Sequence, residues 1–504
     1  MGGTGDSAFF DVGAGHITSW LGRVVRPDGV FIIFRGRIRE ASLPCSEVTL
    51  VNRTLNVFSL FVSKRSLAIS ISLIVLVGSA VAGSNEQVIY RFQGGSDGYN
   101  PSGDLLADSA GNLYGTTVEG GTGGSLCYNQ NGCGTVFQLT PPAHSGDPWV
   151  ETVLYRFTGG SDGYYPTSAL VADKNGNLYG TTADGGSRDN GTIYELRRPT
   201  SPGGAWTHRV LYAFQGVPGG RGDGDGSQPD GVVFGAAGNL YGATLWGGFC
   251  TKFDGMVNCS GSVFELAAPS EPGGAWTESV LYRFGALGDS NPHSGVIFDK
   301  NGNLYGTTYD GGAFAGGVFE LTPPSAPGSA WTETTIVDFN SIDGGAPNDS
   351  LVFDSAGNLY GTTLIGGAAN MGAVIELTPP ASPGGSWTET VLYSFQSSGD
   401  GNSPLANVIF DKSGNLYSTA WMGGDFNRGT VFQLTPPSNG GEWTETTLHN
   451  FDSGVDDGQE PEGGLIWSHG ALYGTTTQGG SKPSDQCMLD NYAWSCGVVF
   501  RIEP

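Results

Sequence analysis

The sequence predicts an all-β fold, a seven-bladed β-propeller of four-stranded blades, and three observations carry that expectation. A seven-residue segment recurs seven times, each copy sits in the same order of strand-like runs and turns, and the two ends of the repeat region complement one another. GNLYGTT stands at 111–117, 176–182, 302–308 and 357–363, with GNLYGAT at 238–244, GNLYSTA at 414–420 and GALYGTT at 470–476. Successive copies begin 65, 62, 64, 55, 57 and 56 residues apart.

Each unit opens on an Asp-x-x-x-Pro turn or a close variant, followed by an apolar run such as LVFD. GNLYGTT, a Gly-Gly pair, a VFELTPP-like segment and W-T-E-T-VLYRF come next. These runs are rich in β-branched and aromatic residues and are bounded by Gly, Pro, Asn or Asp, so each unit offers four short strands and no helical stripe. Between the first two strands, Asp108, Asp173, Asp299, Asp354 and Asp411 recur where a side chain can bond its own backbone, and a glycine such as Gly357 can take positive φ. A group repeated blade after blade is scaffold, and so are Trp149, Trp206, Trp276, Trp331, Trp387 and Trp443 at the start of the outer strand. The repeat region begins with VIYRF (Val88–Phe92), a lone outer strand, and ends with VVFRI (Val498–Ile502), a third strand. A ring closed by the N-terminal strand uses this complementarity, whereas an open solenoid, the alternative, wants polar caps at both ends.

The GNLYGTT, Gly-Gly, VFELTPP and W-T-E-T-VLYRF segments resemble the GloVer tandem repeats of secreted bacterial proteins, over about residues 88–504. The resemblance implies a propeller-like repeat protein; it implies no activity and no site.

Gly 85 and Pro 27 together make about 22% of the 504 residues, below the range of roughly 25–30% typical of aperiodic disordered chains. A content of 38% hydrophobic, 11% aromatic and 14% charged residues allows a large core. The net charge is −25, and residues 1–83 carry eight Lys/Arg against five Asp/Glu, which leaves −28 on the rest. Such acidity repels phosphate backbones and excludes nucleic acid as a partner, while cations, basic proteins and neutral glycans stay open.

Lys64 and Arg65 precede an apolar run from Leu67 to Val77 and small residues ending at Ala82, so residues 63–82 read as a signal peptide cleaved after Ala82. The run is short and serine-diluted for a membrane span, with a retained signal anchor as the alternative. Residues 1–62, with the Arg35, Arg37 and Arg39 cluster and no repeat, are expected to be a mis-assigned extension, with initiation at a non-Met codon such as Val57 or Val62. Residues 83–504 then form the propeller, secreted, monomeric and free of the membrane. Six cysteines fall as Cys127/Cys133, Cys250/Cys259 and Cys487/Cys496 in one slot of three blades, where local disulfides are expected. No spacing is C-x-x-C and no His lies in these loops, which argues against a metal there; Cys45 is left over.

In a repeat scaffold, function belongs where blades differ. The residue after the turn proline is Ser102, Thr167, Asp230, His293, Asn348, Leu405 and Glu462 in turn. By analogy with other propellers these start the innermost strand and, with Asp104, Asp349 and Asn407, ring one mouth of the channel. Asp104, Asp230, His293, Asp349 and Glu462 are therefore the ligand-binding candidates, and Trp246 and Trp421, which replace smaller residues, are candidates for stacking on sugar rings. Asp230 and Glu462 are also the residues that would hold a Ca²⁺; no other cofactor is expected. No P-loop, G-x-S-x-G or H-E-x-x-H motif is present. The reading is a non-catalytic binding or scaffold propeller for a glycan or protein surface; the alternative is a glycan lyase or hydrolase using acidic rim residues.

Overall fold

The computed structural model describes residues 19–25, 31–37 and 86–504, apart from 122–126, 128–131, 218–221, 254–255, 286–289, 312–314, 481–483 and 490–491 and from positions 202, 272, 327–328, 383, 397–398, 439, 453 and 455. The chain divides into two compact units, 1–82 and 83–504. In the first, Ser19–Val25 pairs antiparallel with Phe31–Arg37. The expected signal segment and Cys45 lie outside the described residues.

The second unit is a ring of seven antiparallel sheets. Blade 1 is built from Leu106–Ala107, Leu113–Thr117, Thr135–Thr140 and Val150–Arg156 in sequence order, and blades 2, 4, 5 and 6 repeat that order. Blade 3 adds Ser227–Pro229, which pairs with Leu240–Trp246. In the last sheet the fourth position is taken by Gln87–Arg91, paired antiparallel with Val498–Ile502 beside Ala471–Thr476 and Ile466–Ser468.

Burial follows position. LYGTT is buried at all five residues in four blades, because both of its faces meet neighbouring sheets, while the outer strand alternates exposed and half-buried residues. The seven apolar clusters each straddle two adjacent blades, and one of them joins Leu113 and Phe137 of blade 1 to Tyr473 and Val499 of blade 7. The recurring tryptophans cap these clusters, Trp206 against Tyr114 of the preceding blade and Trp149 against Tyr473. A bulge at the same place in every third-to-outer pairing, such as between Val136 and Phe137 or Val88 and Tyr90, sharpens the twist toward the rim.

The turn aspartates are structural: Asp108 Oδ1 accepts from the backbone N–H of Ala110 and Asn112, and Asp173, Asp299, Asp354 and Asp411 repeat the pattern. The three disulfides pair Cys127–Cys133, Cys250–Cys259 and Cys487–Cys496.

The turn proline marks the joint between blades. The residue before it, Asn100, Tyr165, Gln228, Asn291, Ala346, Ser403 or Glu460, has φ between 50° and 59°, although a following proline ordinarily favours extended backbone. Its N–H donates to a carbonyl of the preceding blade in all seven cases, for example Tyr165 to Cys133 at 3.1 Å and Asn100 to Cys496 at 3.1 Å. The glycine opening each third strand completes the joint. A Cβ on Gly134 would lie 2.5 Å from Thr117 O and 2.6 Å from Pro166 Cδ of the next blade, so only glycine fits.

Candidate functional site

Beyond the turn proline, the chain runs along the channel wall. A cavity of about 670 Å³ opens there, and Ser102, Thr167, Asp230, His293, Asn348, Leu405 and Glu462 line it, one residue from each blade, together with Asp104, Asp349 and Asn407. Each of the seven is half-buried, and all but Asn348, which Asp349 follows on the cavity wall, sit between two buried residues, so the side chain faces the cavity while the backbone on either side is packed.

These residues do not lie on the innermost strand, as the analogy suggested, but in the extended segment before it. The inner strands are two residues long in six blades and start later, at Leu106–Ala107 in blade 1 and Ile409–Phe410 in blade 6. The reason lies in the first threonine of GNLYGTT, whose hydroxyl reaches across to the wall segment of the next blade. Thr116 donates to Ser168 O at 3.4 Å, Thr362 to Ala406 O at 2.9 Å, and Thr475 of blade 7 to Gly103 O of blade 1 at 3.4 Å. The wall backbone is thus held in part by side chains of the neighbouring blade.

One hydrogen-bonded network crosses the cavity. The Asn407 side-chain amide donates to Asp104 Oδ2 at 3.1 Å, and its backbone N–H donates to Asp349 Oδ2 at 2.9 Å. Gly464 N–H donates to the other Asp104 oxygen and Ser350 N–H to the other Asp349 oxygen. Four blades meet in this group. Enclosure removes water from the carboxyls, and their mutual repulsion adds to it. Asp230 is pushed up to about 7 by burial and then by Asp104. Asp104 is raised by burial against the bonds from Gly464 and Asn407, and Asp349 stands well above the usual range through burial and the nearby Asp104 and Asp230. Glu462 is raised to about 7 by burial and by Glu460. His293 is shifted the other way, its charged form disfavoured by burial against the pull of Asp310, and its ring lies 5.1 Å from that of Tyr309.

The two tryptophans part company. Trp246 is 38% exposed and lies off the cavity wall, whereas Trp421 walls a second cavity of about 180 Å³ with Glu460, Glu462, Tyr99 and Gln478. Glu462 borders both cavities. The Trp421 indole N–H is buried without a hydrogen-bond partner, a donor aimed at no protein acceptor. Glu460, which accepts from Arg428 at 2.9 Å and from Gln478, belongs to this wall and went unread in the sequence. Its signal was available: it precedes the turn proline by one residue, a slot from which Asn100, Tyr165 and Gln228 also reach a cavity wall. Asp230 and Glu462 do not share a ready-made cation cage; among the described residues, only Glu86, His449 and Asp457 bring three ligand atoms within 4.8 Å of one another.

The profile of the Gloeobacter/Verrucomicrobia repeat matches residues 75–248, 127–326 and 249–488, well over half of the sequence. The chain belongs to this repeat family. No curated protein sequence matches it. Solved structures similar to this family member include a luciferin-regenerating enzyme, 12% identical over 84% of this chain and 96% of its own, with a TM-score of 0.39. A protein of unknown function from Dyadobacter fermentans is 12% identical over 83% and 98%, with a TM-score of 0.37. PorZ, a bacterial surface component of the type-IX secretion system of Porphyromonas gingivalis, is 13% identical over 74% of this chain and 45% of its own, with a TM-score of 0.38. Identities this low transfer no activity to the repeat protein.

Proposed function

We propose that this chain is a secreted binding propeller that takes a neutral, hydroxyl-rich ligand, a glycan segment, into the channel mouth. One observation carries the reading: a cavity of about 670 Å³ is walled by seven residues at one backbone position, and no two of them are alike. That volume falls within the roughly 300–1,000 Å³ of small-ligand sites. Carboxyls titrating near neutrality both donate and accept, which suits sugar hydroxyls, and Trp421 beside Glu462 adds an apolar face with a spare N–H. Three disulfides fit an oxidising compartment, and residues 63–82 supply the export signal. A glycan array followed by calorimetry on any hit tests the proposal. Asp230→Asn with Glu462→Gln should weaken binding by about tenfold or more, since two charge-capable hydrogen-bonding groups are altered; unchanged affinity would move the site off the rim.

A second reading rests on Asp230 and Glu462 themselves. Two carboxyls raised to about 7 in one cavity are suited to general acid–base work on a glycosidic bond. Product analysis separates the readings, because a binding module returns its glycan intact.

A further inference from the structure

The outer rims of the blades carry a recurring arrangement. A tyrosine of the outer strand donates to the aspartate that opens the next Asp-x-x-x-Pro turn: Tyr90 to Asp97 at 2.7 Å, Tyr155 to Asp162 at 2.9 Å, Tyr212 to Asp225 at 2.6 Å and Tyr393 to Asp400 at 2.8 Å. The outer strand of the following blade adds a glutamate, as where Glu278 accepts from Tyr212 at 3.5 Å. In the outer strand Thr444–Asn450 of blade 6 the tyrosine position is held by His449, with Asp457 as the aspartate and Glu86, next to the strand Gln87–Arg91, as the glutamate. His449 Nε2 lies 3.1 Å from both Asp457 oxygens, and ligand atoms of all three residues fall within 4.8 Å of one another.

The exchange changes what the arrangement can do. A neutral phenol is a poor metal ligand, whereas an imidazole nitrogen with two carboxylate oxygens is a donor set for a divalent transition cation, with remaining positions left to water. One oxygen of Glu86 is buried without a hydrogen-bond partner; the same is true of Glu151, Glu278 and Glu389, so the orphan oxygen belongs to the position and the histidine is what distinguishes this joint. His449 and Asp457 keep 11% and 14% side-chain exposure, enough for an ion to reach them from solvent.

We propose that Glu86, His449 and Asp457 form a binding site for a divalent cation of the Zn²⁺ class, which fastens the N-terminal strand of the ring to the outer strand of blade 6. The ion takes the lone pair of His449 Nε2, with the ring's remaining proton on Nδ1. Because the ligands meet only in the folded ring, the ion favours the native state.

The test is Zn²⁺ titration by calorimetry into the chelator-treated full chain, with thermal melting in the presence and absence of Zn²⁺. One tight site and a Zn²⁺-dependent rise in melting temperature are expected. His449→Tyr restores the residue found at five equivalent positions, so it keeps the fold, and it should abolish both effects. Glu86→Gln should weaken the site by about tenfold or more while leaving Asp457 and its loop in place. Co²⁺ as a probe should give visible d–d absorption in the parent chain and none with His449→Tyr. No binding in the parent, or equal binding and equal melting shifts in His449→Tyr, overturns the proposal and leaves a hydrogen-bonded triad like its neighbours.

Discussion

Asp230 and Glu462 keep their protons at pH values where an exposed carboxyl has lost its own, and this has a sign. Their folded pKa values, about 7, lie above the ordinary 3.8 and 4.5, so the native state binds more protons than the unfolded chain between those limits. The stability they contribute is complete below about pH 4 and is lost as pH rises through 7. Glu151, Glu278 and Glu445, all raised to about 7 by burial, act in the same sense at the outer rim. His208, lowered to about 4 by burial, acts in the opposite sense: its contribution is present above about pH 6.5 and is lost as pH falls toward 4. With the acids in the majority, the melting temperature should be higher at pH 5 than at pH 8. Asp230→Asn should flatten that slope, raising the melting temperature at pH 8 and leaving it nearly unchanged at pH 4. An equal slope in the variant would mean that Asp230 is ionised in the fold. At this scale the rim register was legible, because a proline marks it in every blade. The Asp104–Asn407–Asp349 network was not, since its members are up to 303 residues apart and only ring geometry brings them together. His449 was illegible for a related reason: a histidine replacing a scaffold tyrosine acquires meaning only once Glu86 and Asp457 lie beside it.

At the scale of the element, the joint between blades is a glycine on one side and a proline on the other. Gly134→Ala must fit a Cβ 2.6 Å from Pro166 Cδ at φ +94°, and should cost about 2–4 kcal/mol in denaturant titration through combined overpacking and backbone strain. Gly146→Ala supplies the control, since its Cβ meets nothing within 4 Å and the same positive φ is all that it strains. The disulfides act more locally. Each closes a loop of six to nine residues in sequence separation, so replacing Cys250 and Cys259 by serine should remove about 2–3 kcal/mol and increase proteolysis near that loop without unfolding the ring. The strands themselves were legible from composition and punctuation. The short inner strand was over-read, because the sequence does not separate a run that pairs with its own blade from the segment before it, which bonds to a threonine of the preceding blade.

For the whole molecule, the pairing of Gln87–Arg91 with Val498–Ile502 ties the two ends of the second unit into one sheet. Deleting residues 83–95 exposes the edge of Val498–Ile502 and strips Ile89 and Phe92 from the cluster shared by the last and first blades. The truncated protein should melt well below the parent in one transition; an unchanged melting temperature would show that the ring does not depend on this strand. The seven joints share their backbone bonds, while the side chain that follows each proline touches the cavity. The mouth is therefore a seven-letter word written on a fixed line, in which any letter can be rewritten while the line stays put. New specificities can arise one substitution at a time, and a library varied at Ser102, Thr167, Asp230, His293, Asn348, Leu405 and Glu462 would sample them on a single unchanging ring.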